Sequence, residues 1–277
     1  MSAEIRRSKC AARVRRANIE LLKAEMTERQ ERQNAPVATI FASNPCTIQK
    51  KSSNFAAESC KDENMTPKTI DNIYLYRITH IGNIPHILSN GIVHKSSPLA
   101  NPNYIAIGDV SLIDYRSNKS VNIDGHNIIL GDYIPFYFGV RMPMLYVIQH
   151  GGNFVEQARP PQEIIYIVIS LRNVIKSGYS FYFSNGHATD FLTDFYSVKN
   201  IDQLPVLIDW NAVSEKYWSN EDDLDLKRRK QAEFLIKEDV APHNIVGYVC
   251  YNTEAKQQLI NMGVNPEIIK IAPQAYY

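Results

Sequence analysis

From Ile73 to the C-terminus the chain is a succession of short apolar runs broken by polar turns. "IYLYRIT" (73–79) is rich in β-branched and aromatic residues and predicts a strand. "IPFYFGV" (134–140) and "MLYVI" (144–148) read as strands too. "EIIYIVIS" (163–170) is almost continuously apolar, as a strand buried on both faces would be. "YSFYFSNGHATDF" (179–191) predicts a strand leading into a loop, and "NIVGYVCYN" (244–252) a further strand. "FLI" (234–236) is a strand candidate that periodicity alone does not separate from a helix. Helices are predicted where caps bracket a run. Asn83, Pro85 and Gly91 frame "NIPHILSNG", and Thr253 and Gly263 frame "TEAKQQLINM". "SLIDYRSNKSV" reads as a polar loop and "HGGN" (150–153) as a turn. No βαβ rhythm and no internal repeat occurs, so the class is α+β, with a core of roughly six to eight strands.

The first 70 residues differ in texture. Residues 1–33 carry Ile5, Ala12, Ile19, Leu22 and Met26 at helical spacing without Gly or Pro, an amphipathic basic helix. It reads as a solvated extension or as an arm for a partner or nucleic acid. Residues 34–70 are polar, with weak periodicity, and read as a linker. The domain expectation is therefore a helical and disordered extension at 1–70 and a folded domain at 71–277.

Charge sharpens that division. The whole chain has a formal net charge of +1, yet residues 1–33 hold nine Lys/Arg against five Asp/Glu. Residues 71–277 hold 17 Lys/Arg against 21 Asp/Glu, together with all seven histidines. A nucleic-acid coat protein would be basic throughout; this body would meet nucleic acid only through a local basic lip. No stretch reaches the roughly 18 consecutive apolar residues of a membrane span, and the start lacks an apolar signal region. Four scattered cysteines without CxxC spacing fit a reduced, cytoplasmic protein without disulfides.

Several chemistries are disfavoured by missing patterns. No HxxxH, HExxH or HxH occurs, so no metal is expected. There is no GxGxxG after a strand and no GxxxxGK[ST], so a dinucleotide would need a different fold. GxSxG is absent, and Cys250 lies in an apolar strand as an inert thiol. A spatial Ser-His-Asp triad stays open.

Four clusters and one glutamate stand out. "YRITHIGN" sets Thr79 and His80 at a strand end, where loops commonly hold ligand groups; a structural histidine is the competing reading. "SLIDYRSNKSV" offers Arg116, and "FSNGHATDF" offers His187 beside Gly186. "GDYIPFYFGVRMPMLY" is either two core strands or an apolar wall with a cation for a ring or a phosphate. In "RRKQAEFLIKEDV" a single carboxylate, Glu233, separates a basic run from an apolar one. Such a carboxylate can bind a sugar hydroxyl and stabilise an oxocarbenium-like cation as a glycosidic bond breaks; a strand end with an ion pair is the plainer reading.

Taken in order, "RITHIGNIPHIL", "GDVSLIDYRSNKSV", "DYIPFYFGVRMPMLY", "FSNGHA", "LIDW" and "RRKQAEFLI" resemble the DarT family of DNA ADP-ribosyltransferase toxins, from about Ile73 to the C-terminus. The resemblance implies an ADP-ribosyltransferase-like split β-core with short flanking helices and NAD+ as co-substrate in the cleft. It implies transfer of ADP-ribose to a base of single-stranded DNA, usually thymine, by a toxin neutralised by a macrodomain-type antitoxin. It puts Glu233 on the catalytic glutamate, Arg116 on the catalytic arginine and His187 on the histidine that opens the substrate loop. Thr79, His80, Gly82 and Asn83, with Arg116, fall on the NAD+-binding positions. The family's "PRSPMLY" and "FTDGHA" become "VRMPMLY" and "FSNGHA", and the second change bears on base choice. The loop to Lys230, with Trp210, Trp218 and "DLKRRK", is expected to clamp the strand. A monomer is the default. A transferase acting on protein or RNA, and a non-enzymatic nucleic-acid-binding module, are the alternatives. A glycoside hydrolase is disfavoured because Glu233 lacks a second carboxylate partner.

Overall fold

The computed structural model describes residues 67–152, 155 and 157–277. The expected basic helix at 1–33, and all of the linker before residue 67, lie outside the described residues.

In chain order the elements are β1 (Tyr74–His80), α1 (Ile84–Asn90), α2 (Val110–Asn118), β2 (Ser120–Ile123), β3 (His126–Ile129), β4 (Ile134–Tyr137), α3 (Pro143–His150) and β5 (Ile164–Ser170). There follow α4 (Leu171–Lys176), β6 (Phe181–Ser184), β7 (Phe195–Tyr196), α5 (Leu204–Leu207), α6 (Trp210–Ser214) and α7 (Leu226–Lys230). The last are β8 (Glu233–Ile236), β9 (Ile245–Cys250), α8 (Thr253–Asn261) and β10 (Ile269–Ile271). Eight strands form one sheet in the order β10-β9-β5-β1-β4-β8-β6-β7, and β2 with β3 makes a separate hairpin.

The sheet is two ladders joined at a seam. β1 pairs with β5 along its whole length, from Tyr74↔Ser170 to His80↔Ile164. β4 pairs with β8 from Ile134↔Ile236 to Tyr137↔Glu233. Between the two, β1 meets β4 only at Tyr76↔Tyr137. The split core of the sequence reading takes this form, and the strands part on either side of one rung, Tyr76–Tyr137–Glu233.

The unbroken apolar run of β5 has a direct cause. Ile165, Ile167 and Ile169 enter the main core, while Ile164, Tyr166 and Val168 enter a second cluster under α3 and the C-terminus. Each such side chain contributes on the order of 1.5–3 kcal/mol by leaving water. β1 is mixed for the opposite reason. Leu75 and Thr79 are buried on one face, and Arg77 lies between them, partly exposed.

Three local expectations are corrected. "MLYVI" is helix α3, opened by Pro143 at its first position, with Leu145 and Ile148 buried three residues apart. Arg116 stands on α2 and not in a loop; Asp109 caps that helix by accepting from Ser111 N–H and Leu112 N–H at 2.9 and 3.2 Å. In α8 the cap is Asn252, which accepts from Ala255 N–H at 3.0 Å, and Thr253 is the first helical residue. α1 runs as read, between Asn83 and Gly91, whose φ of 79° lies in the left-handed region.

Candidate active site

Glu233 begins β8 and is 0% exposed. Its main-chain N–H donates to Ser184 Oγ at 3.2 Å, which fixes the start of the strand against β6. Its Oε1 accepts from Ala188 N–H at 2.8 Å and from Arg116 Nη1 at 3.2 Å. Oε2 lies 2.9 Å from the same guanidinium nitrogen but makes no hydrogen bond, and Arg116 Nη2 is likewise buried without a partner. A carboxylate oxygen and a guanidinium edge are therefore left in one dry place, each able to take a further polar group.

Arg116 reaches Glu233 because α2 lies directly on the turn after β3. A Cβ on Gly131 would stand 2.5 Å from Ser117 Cα, so only glycine admits the helix this close. His94 holds the turn from below. Its Nδ1 accepts from Ser96 N–H at 3.2 Å, which leaves the proton on Nε2 to donate to Gly131 O at 2.7 Å. α2 buries no residue of its own, so cap and turn position Arg116 more than any apolar stripe does.

His187 comes to the same place through the loop after β6. Its N–H donates to Arg228 O at 3.0 Å, and Thr193 Oγ1 donates to its carbonyl at 2.8 Å. Its Nδ1 lies 2.7 Å from Thr189 Oγ1, so Nε2 is the nitrogen left to face a substrate. Burial lowers its pKa, and the nearby Glu233 charge only partly opposes this, so the ring is neutral at pH 7. Tyr137, across the ladder from Glu233, is pushed up by burial first and by that carboxylate second, and keeps its proton.

A branched cleft opens beside these groups, and Arg77 and Tyr104 line each of its lobes. One lobe, of about 200 Å³, is lined by Thr79, Asn83, His86 and Asn101. A second, of about 320 Å³, holds Lys95, Arg116, Ser117 and Tyr133. The third, of about 200 Å³, holds Asp109, Arg116, Tyr137, Met144 and His187. Arg116 belongs to two lobes, and Glu233 sits behind it.

The remaining candidates stand at the cleft's edge, where Thr79 and Asn83 line one lobe. Asn83 donates to Thr79 Oγ1 at 3.0 Å and exchanges hydrogen bonds of 2.9 Å with both main-chain groups of Ile105. It thereby fixes the segment that leads to Asp109. His80 accepts from Gly82 N–H at Nδ1, 3.0 Å, so its Nε2–H points to Glu163 Oε2 at 3.2 Å. Gly82 is close-packed, since a Cβ there would come within 2.9 Å of Ile105 Cδ1.

The expected basic lip is largely spent on internal pairs. Arg228 is held by Asp225 and Arg229 by Asp209, Asp223 and Asp225, while Lys230 is buried; Lys227 stays exposed. Trp210 is core-facing, edge-on to Phe138, and Trp218 donates to Tyr277 Oη at 2.9 Å. Sequence reasoning passed over Arg77, although a lone cation on the core-facing side of a strand was a readable signal. For His94, Tyr104 and the Ala188 N–H no such signal existed. No group of His, Cys, Asp or Glu able to hold a metal occurs among the described residues.

Comparison with known proteins bears on this geometry. The family model described as "ssDNA thymidine ADP-ribosyltransferase, DarT" matches residues 76–277. A DNA ADP-ribosyl transferase of Escherichia coli O127:H6 is 36% identical over 187 residues, covering 67% of this chain and 83% of the relative. Thermus sp. 2.9 DarT, solved with ADP-ribosylated ssDNA, is 27% identical with a TM-score of 0.64, covering 74% of this chain and 96% of that one. The same protein solved with NAD+ gives 26% identity and a TM-score of 0.60, covering 74% and 98%. A transferase–glycohydrolase fusion protein of Thermosipho africanus is 26% identical over 200 residues, which is 72% of this chain and 47% of the fusion. With the match spanning nearly all of the described residues, and Arg116, His187 and Glu233 drawn together behind one cleft, the chain belongs to the DarT family of DNA ADP-ribosyltransferases.

Proposed function

We propose that the protein transfers ADP-ribose from NAD+ to a thymine base of single-stranded DNA, with Glu233, Arg116 and His187 as its catalytic residues. The observation that carries this is the buried Glu233 carboxylate, gripped by a main-chain N–H and a guanidinium with one oxygen free of hydrogen bonds. The Thermus relative solved with NAD+ and with ADP-ribosylated ssDNA supports the same substrates.

The chemistry follows from the residues present. NAD+ supplies an N-glycosidic bond to nicotinamide, which breaks with the electron pair leaving on nicotinamide. The ribose carbon becomes cationic, and a fixed negative charge in a dry site stabilises it far more than water would. Glu233 Oε2 is the atom for this task and for a ribose hydroxyl. Arg116 covers it in the free protein, so the arriving ribose takes over a contact that the guanidinium now makes. The freed guanidinium edge, with Nη2 already unpartnered, can donate to a base carbonyl or hold a phosphate. Neutral His187 accepts the imide proton of thymine as its nitrogen bonds to the ribose carbon. Thr79, His80, Gly82, Asn83 and Arg116 seat NAD+, the first four mainly by shaping the wall next to Arg77.

The same reading makes the protein the toxin of a toxin–antitoxin pair acting in the cytoplasm. A macrodomain-type partner that removes the mark is supported by the fusion of transferase and glycohydrolase in the Thermosipho relative. No helix among the described residues is long and apolar enough to cross a membrane. The test is incubation of the purified protein with NAD+ and a mixed-sequence single-stranded oligonucleotide, beside Glu233→Ala, read by mass spectrometry. One ADP-ribose added to thymine by wild type alone is the expected result. Modification of protein or RNA with bare DNA would move the acceptor, and no adduct on any of the three would leave a binding module.

A further inference from the structure

Three residues before Glu233, at the end of α7, Lys230 is 1% exposed. Buried lysines ordinarily answer a carboxylate, since an unpaired ammonium is costly away from water. This one has none among the described residues. Its ammonium donates to three main-chain carbonyls: Glu215 O at 2.6 Å, Val213 O at 3.2 Å and Val140 O at 3.4 Å. All three N–H bonds are used. The carbonyls of Val213 and Glu215 belong to the C-terminal end of α6, which lacks helical partners for them. Val140 ends the segment after β4, just before Arg141, whose φ of 57° is in the left-handed region.

These attachments have a common geometry. α7 leads into β8 and so into Glu233. The Val140 segment continues β4, whose Tyr137 pairs with Glu233 and lines the His187 lobe. The end of α6 packs on α7, and its Val213 lies against Gly139 of the Val140 segment. We infer that Lys230 is a positioning residue for the transfer reaction: its protonated ammonium staples the segment after β4, the end of α6 and the approach to Glu233 into one rigid wall. This rests on the reading of Glu233 given above.

The staple needs all three protons, so loss of one would free a buried carbonyl. Burial first, and then the Arg141 guanidinium, bring the lysine down to about 8, with Glu215 opposing. The charged groups facing it are these two. Arg141 is directed to Tyr276 O and over the Tyr277 ring at 4.2 Å, and the neighbouring Arg229 is committed to its three aspartates. A group titrating near pH 8 would be about one-tenth protonated at pH 9, so the wall loosens in mild alkali.

The experiment compares wild type, Lys230→Arg and Lys230→Met. At pH 7, Lys230→Met should lower kcat by at least about tenfold with KM for NAD+ within about twofold, the signature of misplaced rather than missing groups. Arginine stays charged, so the ratio of Lys230→Arg to wild-type kcat should rise about tenfold from pH 7 to pH 9. Peptide-resolved hydrogen exchange at pH 7 should show Lys230→Met opening residues 139–142 and 211–216. Unchanged exchange, or a flat ratio together with near wild-type kcat in Lys230→Met, overturns the inference. If Lys230→Met does not fold, wild-type kcat that is level with Lys230→Arg across pH 7–9 overturns it. Wild type inactive on DNA would instead sink the functional reading, and the exchange data would still decide Lys230.

Discussion

Replacing Glu233 with glutamine removes one charge and keeps the size and shape of the side chain. The single amide oxygen can take the place of Oε1 and accept from both Ala188 N–H and Arg116 Nη1, the contacts at 2.8 and 3.2 Å, while the NH2 replaces Oε2 and faces the guanidinium as a second donor. What is lost is the electrostatic stabilisation of a cation forming next to Oε2. The site is 0% exposed, yet flanked by Arg116 and by a cleft, so an effective dielectric of about 20 is apt. At about 4 Å the interaction is then about 4 kcal/mol. That corresponds to about a 10³-fold loss of kcat, in line with the roughly 10²–10³ seen when a single preorganised group is removed from such a site. The assay is single-turnover ADP-ribosylation of a thymine-containing oligonucleotide, with NAD+ affinity measured separately by titration. Affinity should move by less than about threefold, since the charge acts on the transition state. A folded Glu233→Gln protein within tenfold of wild type would refute the argument, because among the described residues no other carboxylate lines the Arg116–His187 lobe except Asp109, which is spent on capping α2.

Three further outcomes follow from the same geometry. Arg116→Ala strands a fully buried carboxylate and should cost about 3–5 kcal/mol, a melting shift of roughly 6–20 °C by calorimetry. Gly131→Ala, at the wall of the Lys95 lobe, pushes α2 off its seat; it should lower Tm through about 1–3 kcal/mol of overpacking and cut kcat through the displaced Arg116. His187 has its pKa below 6.5 in the folded state. The stability it contributes is therefore present above pH 6.5 and is lost as pH falls through the folded value. The acid limb of kcat should follow the same group, and NMR titration of the ring in wild type, with loss of the limb in His187→Ala, checks it.

Much of the sheet was legible because its strands sit in simple environments. β5 is buried on both faces and so reads as one apolar run, and β9 is marked by a β-branched run closing on Cys250. α3 was misread because five apolar residues carry too little periodicity to tell a strand from a helix, and the decisive Pro143 precedes them. α2 was unreadable for a different reason: it has no buried face, and its stability comes from Asp109 and from a glycine thirteen residues beyond its end. The pairing of Arg116 with Glu233 spans 117 positions and leaves no local trace. The family resemblance put both residues on catalytic positions without predicting that they touch. The cationic "RRK" suggested a DNA-facing lip, and the aspartates that consume it were visible at 209, 223 and 225 without any cue to their partners.

The grip of Ala188 on Glu233 comes from a main-chain N–H, and this shapes how the family can diversify. Any residue but proline supplies that donor, so the anchor of the reactive charge is written in backbone and not in a side chain. Ala188 itself must stay small, being 1% exposed, but Phe191 and Leu192 three and four residues on are 77% and 58% exposed. Substitution can therefore rewrite this exposed rim while the carboxylate keeps its place. Under the function proposed above, residues of this rim are free to tune the acceptor while the group that breaks the glycosidic bond stays fixed by the main chain.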